Sequence, residues 1–236
     1  MYEGVHARPD GDSTVSRMAL AASEYGFSGI VVRNHGDNPA SYDPTQIGEK
    51  YGIDVVPAVE IRASDPSRAG GFVGAHRDSQ TVVVVHGGTA ELNRFAVEQP
   101  AVDVLAHPMK GEGDFNHVLA QRAVENGVRI EFNLAPALRW QGGRRVQALQ
   151  KLRKLHEIVE TYETPYVVSA DPRNHLQLRS PRALQAVGET IGFTAVEIAD
   201  GLAEWGEIAE RNRKRQDDSF IQPGVKRVDC EDGVTR

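Results

Sequence analysis

The chain has 236 residues, a length that suits one large domain or two small ones. Hydrophobic residues make up 40% of it, which is enough for a sizeable core and excludes wholesale disorder. Mean hydropathy is −0.42, and the densest apolar run is residues 82–85, far short of the ~20 residues of a membrane-spanning helix. The first residues show no secretory signal. The single cysteine, Cys230, excludes an internal disulfide framework and predicts a reducing, cytoplasmic location.

Strand-like and helix-like segments alternate along the chain. A short first strand ends at Val5-His6, and six further strands are predicted at residues 29–33, 54–61, 81–85, 102–105, 128–132 and 165–168. Most of these runs are continuously apolar, which indicates strands buried on both faces. Helical patterns are clearest at residues 14–25, 91–97, 115–126 and 144–162. This repeated order predicts a parallel sheet with helices outside it.

The C-terminal part reads as helical. Pro181 suits the first turn of a helix that continues to residue 190. Thr194 and Glu197 have the spacing of a capping box, so a second helix is expected over 194–199 and a third over 204–215. We therefore predict one domain over residues 1–215, followed by a polar, mobile tail over residues 216–236.

The loop after the first strand distinguishes between two kinds of parallel sheet. An open, doubly wound sheet would carry a glycine-rich phosphate loop there, but residues 7–12 read Ala-Arg-Pro-Asp-Gly-Asp. A distorted TIM-like (β/α) barrel of about seven parallel strands, with C-terminal helices, is the better prediction.

Charge is distributed unevenly along this acidic chain, whose net charge is −6. Residues 139–156 contain six basic residues and no acidic one, namely Arg139, Arg144, Arg145, Lys151, Arg153 and Lys154. Such a stripe indicates an anionic partner that docks on one face. An ordinary solvated helix face would give the same pattern, so both interpretations stay open.

Polar side chains recur where the predicted strands end, which is where barrels collect their chemistry. They are His6, Arg33, Asn34, His35, Glu60, His86, His107, Glu131, Asn133, Ser169 and Asp171. Five of them are imidazole or carboxylate groups that a hydrolytic metal could use: His6, His35, Glu60, His107 and Asp171. A single polar residue after a strand is unremarkable, but the coincidence over seven strands indicates an inherited site.

The strand ends resemble those of the polymerase-and-histidinol-phosphatase phosphoesterase superfamily. The similar pieces are Val5-His6-Ala7, Arg33-Asn34-His35, Pro57-Ala58-Val59-Glu60-Ile61, Leu105-Ala106-His107-Pro108 and Ser169-Ala170-Asp171. The resemblance implies a seven-stranded barrel with a metal cluster at the strand ends. However, Gly4 replaces one histidine of the superfamily pattern, and Asn34 replaces an aspartate. A multinuclear hydrolytic site needs several such donors, so we expect a vestigial site without metal.

A narrower resemblance covers the chain to about residue 215. Residues 167–170 (Val-Val-Ser-Ala), 178–182 (Leu-Arg-Ser-Pro-Arg) and 210–212 (Glu-Arg-Asn) are similar to the ribonuclease P protein component 3 family. That resemblance implies a subunit of the ribonucleoprotein that removes 5′ leaders from transfer-RNA precursors. It also implies that the RNA performs the chemistry, with no catalytic residue and no cofactor in this chain. The implied partners are ribonuclease P RNA, a Pop5-type small protein subunit, other ribonuclease P proteins and, indirectly, precursor transfer RNA.

The basic stripe then has a candidate partner, because arginine and lysine bind RNA phosphates by charge without reading sequence. The predicted RNA-binding residues are Lys110, Arg139, Arg144, Arg145, Lys151, Arg153, Arg173, Arg179 and Arg182. The two tryptophans, Trp140 and Trp205, are expected to be packing groups. Two alternatives stay open: a stand-alone metal-dependent phosphoesterase, and a module whose stripe binds an acidic protein.

Overall fold

A computed structural model describes residues 1–216 and two short strands beyond them, Phe220–Gln222 and Val225–Lys226, which pair antiparallel. Gln216, predicted to open the tail, is instead the last residue of a long helix. Residues 217–219, 223–224 and 227–236, including Cys230, lie outside the described residues, and so does most of the predicted mobile tail. No helix in the described part of the chain is long and apolar enough to cross a membrane.

Seven parallel strands form the sheet, in the order in which they occur along the chain. They are β1 (Tyr2–Val5), β2 (Gly29–Val32), β3 (Asp54–Ile61), β4 (Val82–His86), β5 (Val104–Ala106), β6 (Arg129–Asn133) and β7 (Tyr166–Ser169). Every predicted strand is present, within two residues at most of its boundaries. With the helices surrounding it, the sheet makes a nearly closed TIM-like barrel, as the sequence predicted.

Nine α-helices and one short 3-10 helix, His175–Gln177, accompany these strands within residues 1–216. The α-helices are α1 (Val15–Glu24), α2 (Pro44–Tyr51), α3 (Pro66–Arg77), α4 (Ala90–Val97), α5 (His117–Asn126), α6 (Ala135–Arg139), α7 (Gly142–Thr161), α8 (Pro181–Glu189) and α9 (Ala195–Gln216). Sequence reasoning missed α2, α3 and α6. Helix α3 has a weak apolar pattern, and α2 is short and contains no buried residue. Each of the two begins with an aspartate cap followed by proline, Asp43-Pro44 and Asp65-Pro66, which is a standard start signal.

The capping box is confirmed, but the predicted division of the C-terminal region is wrong. Glu197 accepts a hydrogen bond from the backbone N–H of Thr194 at 2.6 Å, and the Thr194 hydroxyl accepts one from the Glu197 N–H at 3.2 Å. The helix that begins there does not stop at residue 199. It continues through to Gln216 as α9, because its buried residues keep helical spacing throughout.

Helix α9 covers the junction between β1 and β7, which no ladder of backbone hydrogen bonds joins in the described chain. Its Trp205 is fully buried and donates from Nε1 to the Val168 carbonyl at 3.0 Å. A Cβ at Gly201 would lie 2.6 Å from the Val168 side chain, and one at Gly206 would lie 2.5 Å from the Tyr2 ring. Glycine at these two positions therefore lets the helix lie directly on both edge strands.

The barrel interior changes character along its axis. Towards the amino ends of the strands it is apolar, with Val31, Val56, Val82 and Val104 packed around Trp205 and Ile208 of α9. Side chains of a strand alternate between the two faces of the sheet, so residues two positions apart point to the same face. Arg33 follows Val31 by two positions and Glu60 follows Ala58 by two, so both side chains point into the barrel. The charged half of the interior lies at the carboxyl ends of the strands.

Candidate functional site

The five strand-end residues selected from the sequence meet in one cluster around the buried carboxylate of Glu60. The Nε2 atoms of His6, His35 and His107 lie 3.5, 3.6 and 3.4 Å from Glu60 carboxylate oxygens. His6 Nε2 also lies 3.0 Å from Asp171 Oδ1. All five converge because parallel strands end at the same mouth of the barrel.

Arg33 lies at the centre of this cluster; the sequence placed it among the strand-end polar residues but not among the five candidate metal-site residues. Its guanidinium is fully buried. Nη2 and Nε lie 2.8 and 3.0 Å from Glu60 Oε2, Nη1 pairs with Glu131, and Nη2 is 3.8 Å from Asp171 Oδ1. One planar cation therefore contacts carboxylates from three different strand ends. The available signal was its inward position two residues after Val31.

Asp10 is a second residue that the sequence did not reveal, because it lies in the loop after β1. Its Oδ2 atom accepts hydrogen bonds from Nδ1 of His6 and Nδ1 of His35, both at 2.7 Å. One carboxylate thus fixes two imidazole rings with their Nε2 atoms turned towards Glu60. Arg173 donates to the Asp10 carbonyl at 2.9 Å and anchors the loop.

Asn34, which replaces an aspartate of the superfamily pattern, supports the same loop. Its Oδ1 accepts from the Ala7 N–H at 2.8 Å, and its Nδ2 donates to the Ala7 carbonyl at 2.7 Å. The neutral amide is both donor and acceptor, which a carboxylate is not. Asn34 therefore has a structural role and does not face the charged cluster.

His86 completes the ring of imidazoles around Glu60, and its neighbour fixes its tautomer. The ammonium of Lys110, which can only donate, lies 3.1 Å from His86 Nε2. The hydrogen of the neutral His86 ring is therefore on Nδ1, which donates to Glu60. Burial lowers the pKa of His86 in spite of Glu60, which favours this neutral form.

His107 presents an N–H to Glu60 in the same way. The Oδ1 atom of Asn133 accepts from the Ala135 N–H at 2.9 Å, so its Nδ2 atom faces His107 Nδ1 at 3.1 Å. That leaves the ring hydrogen on Nε2, towards Glu60. Burial lowers the pKa of His107, but Glu131 and Glu60 outweigh it and raise the pKa overall. Nε2 carries a hydrogen in either protonation state.

The remaining charges of the cluster are fixed by their partners. Burial disfavours a charged His6, but hydrogen bonds to Asp10, Asp171 and Glu60 outweigh it and raise its pKa to about 10. Burial also opposes the ionisation of Glu60 and Asp171. For Glu60, Arg33 outweighs burial and holds the pKa well below its usual range. For Asp171, the His6 hydrogen bond and then Arg33 have the same effect.

Two groups of side chains have ligand atoms close enough to hold a metal ion: His6–Asp10–His35 and His35–Glu60–His86. A metal needs lone pairs, yet the Nδ1 atoms of all three histidines carry hydrogens that point at carboxylates. Arg33 donates to Glu60 as well. The donors present therefore do not fit the multinuclear hydrolytic centre that the superfamily resemblance implies.

A cavity of about 360 Å³ opens beside the cluster. Glu131, Asp171 and Trp140 are among the residues that line it. Trp140 is 50% exposed and Trp205 is 0% exposed, so only Trp205 is the packing group that the sequence predicted. Three predicted RNA-binding residues also line the cavity: Lys110, Arg139 and Lys151.

The nine predicted RNA-binding residues divide into two groups. Six donate hydrogen bonds inside the described chain: Lys110, Arg139, Lys151, Arg153, Arg173 and Arg179. Arg139, for example, donates to the Ala170 carbonyl at 2.7 Å. The other three, Arg144, Arg145 and Arg182, are exposed, and their side chains form no hydrogen bond or ion pair with any described residue.

Sequence comparison matches this chain to one protein family. A family model described as RNase P subunit p30 matches residues 2–217. Ribonuclease P protein component 3 of Haloarcula marismortui is 60% identical over 98% of this chain and 99% of its own length. That of Natronomonas pharaonis is 57% identical over 100% of this chain and 98% of its own length.

Solved structures show the same fold. A chain of an archaeal ribonuclease P with mature tRNA matches with a TM-score of 0.83 and 22% identity, over 98% of this chain and 99% of that one. The histidinol phosphate phosphatase of Lactococcus lactis, solved with zinc, L-histidinol and phosphate, matches with a TM-score of 0.54 and 12% identity, over 81% of this chain and 94% of that one.

Proposed function

Because the chain belongs to the RNase P subunit p30 family, we propose that it is a protein subunit of ribonuclease P, the ribonucleoprotein that removes 5′ leaders from transfer-RNA precursors. Its role is to bind and support the catalytic RNA, which performs the chemistry. The observation that carries this proposal is 60% identity, over 98% of this chain, to a relative named ribonuclease P protein component 3.

The chemistry of the barrel mouth supports a subunit without its own catalysis. A metal-dependent phosphoesterase needs open ligand positions for its ions and for the water that they activate. Here Glu60 accepts hydrogen bonds from Arg33 and His86, and the Nε2 N–H of His107 also faces it. The stand-alone phosphoesterase alternative therefore finds no support in this arrangement.

The distribution of basic residues supports an RNA surface at the same end of the barrel. Most of the nine predicted RNA-binding residues lie on segments that follow the carboxyl ends of β5, β6 and β7. Arg144 and Arg145 occupy the first turn of α7, and that first turn contains no acidic residue. Cations are unfavourable at the positive end of a helix dipole, so a phosphate bound there would relieve the repulsion while it releases counterions.

The partners follow from the same proposal. They are ribonuclease P RNA, a Pop5-type small protein subunit with other ribonuclease P proteins, and precursor transfer RNA through the assembled complex. The structural neighbour is an archaeal ribonuclease P with mature tRNA, which supports such an assembly. A cytoplasmic location, predicted from the single cysteine, is part of the proposal.

A pair of matched double variants tests the RNA surface. Arg144→Glu with Arg145→Glu reverses two charges in the first turn of α7. Arg17→Glu with Arg68→Glu reverses two charges in the first turns of α1 and α3. Both change the net charge equally, and both place acids where the helix dipole favours them. Binding of the ribonuclease P RNA from the same genome is measured at several salt concentrations.

If Arg144 and Arg145 each contact a phosphate, their reversal makes the slope of log K against log salt less negative by about 2, since each contact contributes roughly −0.9 to that slope. The α1/α3 pair keeps the wild-type slope. Equal slopes for both double variants and wild type would contradict the proposed surface. Binding to an acidic protein but not to RNA would instead favour the protein-interaction alternative.

A further inference from the structure

We propose that the guanidinium of Arg33 is a built-in cation that takes the place of a metal ion at the mouth of the barrel, and that Gly4 provides the space for it. The inference goes beyond RNA binding, because it assigns the charged cluster a resident cation that belongs to the chain itself. It is carried by the contacts of Arg33 and by the close approach of its side chain to β1.

The first argument is spatial. A Cβ built on Gly4 would lie 3.1 Å from Arg33 Cδ, 3.5 Å from Arg33 Nη1 and 3.4 Å from the Trp205 ring. A Cβ alone would already be in tight contact with the arginine, and a long side chain such as histidine at position 4 would compete with it for the same space. The Arg33 guanidinium also lies 5.7 Å from the Trp205 ring centroid, a distance at which a cation is attracted by an indole. Gly4 and Trp205 therefore leave Arg33 a space bounded on two sides.

The second argument is electrostatic. Glu60 and Glu131 are fully buried as side chains, and Asp171 nearly so. Carboxylates buried together need a cation, because isolated charges are very costly in a protein interior. A divalent ion would supply that charge from outside the chain. Here Arg33 supplies one positive charge, and His6 supplies a second within 3.0 Å of Asp171 and 3.5 Å of Glu60.

The third argument is geometric. Arginine presents several N–H groups in a rigid plane that matches carboxylates. Arg33 uses Nε and Nη2 towards Glu60 Oε2, and Nη1 towards Glu131. It therefore holds carboxylates from β3 and β6 in fixed positions, as an ion bound between them would. A lysine at this position has a single ammonium and cannot reproduce that arrangement.

Two buried atoms show where an ion would bind if the arginine were removed. His35 Nε2 has no hydrogen-bond partner among the described residues, and Asp171 Oδ1 has only the imidazole of His6 at 3.0 Å and the guanidinium of Arg33 at 3.8 Å as charged neighbours. His35 Nε2 lies 3.6 Å from Glu60 Oε1, the carboxylate whose other oxygen pairs with Arg33. Removing the guanidinium would leave an imidazole lone pair and carboxylate oxygens free to coordinate a divalent cation.

The test compares Mn²⁺ binding by the full chain without RNA, so its failure is distinguishable from failure of the proposed function. Mn²⁺ is titrated into wild type, Arg33→Ala, Arg33→Lys and the matched surface variant Arg213→Ala, which removes a bidentate ion pair with Asp54. Binding is followed by electron paramagnetic resonance of free Mn²⁺, and thermal unfolding is measured with and without the ion.

Wild type and Arg213→Ala should show no stoichiometric Mn²⁺ site. Arg33→Ala should bind about one ion per chain at least ~10-fold more tightly than wild type, and the ion should raise its unfolding temperature or restore its fold. Arg33→Lys should fall between them. Stoichiometric Mn²⁺ in the wild-type cluster would overturn the proposal. So would Arg33→Ala and Arg33→Lys variants that bind no more Mn²⁺ than wild type, whether or not they fold.

Discussion

His6 makes the stability of the protein depend on pH. Its pKa is raised from 6.5 to about 10 because hydrogen bonds to Asp10, Asp171 and Glu60 outweigh the effect of burial. A shift of this size, at about 1.36 kcal/mol per pH unit, corresponds to roughly 5 kcal/mol of unfolding free energy. Because the folded pKa lies above the unfolded one, this stabilisation is complete below pH 6.5 and is lost as pH rises through 10.

The substitution His6→Gln tests this reasoning, since glutamine keeps a hydrogen-bond donor but does not titrate. Urea unfolding is measured at intervals between pH 6 and pH 10 for wild type, His6→Gln and His117→Gln. His117 is exposed on α5, so it controls for the loss of a histidine as such. We expect wild type and His117→Gln to lose several kcal/mol more unfolding free energy over this range than His6→Gln.

Residues that titrate only in the unfolded state affect all three proteins equally and cancel in the comparison. Identical pH dependence for wild type and His6→Gln would refute the assignment of a charged His6 to the cluster. A direct NMR titration of the imidazole that showed a pKa near 6.5 would refute it as well.

Three further predictions concern other buried or exposed groups. Arg33→Met should lower the unfolding free energy by about 3–5 kcal/mol at pH 7, because it leaves Glu60 and Glu131 without their cation. The loss should be smaller at pH 4, where carboxylates take up protons. Equal losses in urea unfolding at both pH values would contradict this. Burial raises the pKa of Glu3 to about 8, so wild type should lose stability relative to Glu3→Gln as pH rises from 4.5 to 8. A difference in unfolding free energy between the two proteins that does not change with pH would contradict the raised pKa. RNA binding should quench the fluorescence of exposed Trp140 and leave buried Trp205 unchanged, so Trp140→Phe should abolish the signal; a signal retained in Trp140→Phe would place the RNA elsewhere.

The sequence by itself determined the barrel and the position of the five strand-end residues. Continuous apolar runs separated by helical patterns predict parallel strands buried on both faces, and the missing phosphate loop after β1 favoured closure of the sheet. Once strands are parallel and adjacent, the residue after each strand must lie at a shared mouth. His35 and His107 could therefore be placed together without knowledge of a single side-chain contact.

The tertiary structure alone decided what that mouth contains. Arg33 reaches Glu60, 27 residues away, and Glu131, 98 residues away, and no local pattern encodes such a pairing. The N–H groups that face Glu60 depend on Lys110 and Asn133, which approach only when the strand ends assemble. Closure of the barrel by α9 has the same origin, because Gly201 and Gly206 matter only where β7 and β1 lie against them. Sequence periodicity fixes which face a side chain occupies, whereas charge balance depends on contacts between distant segments of the folded chain.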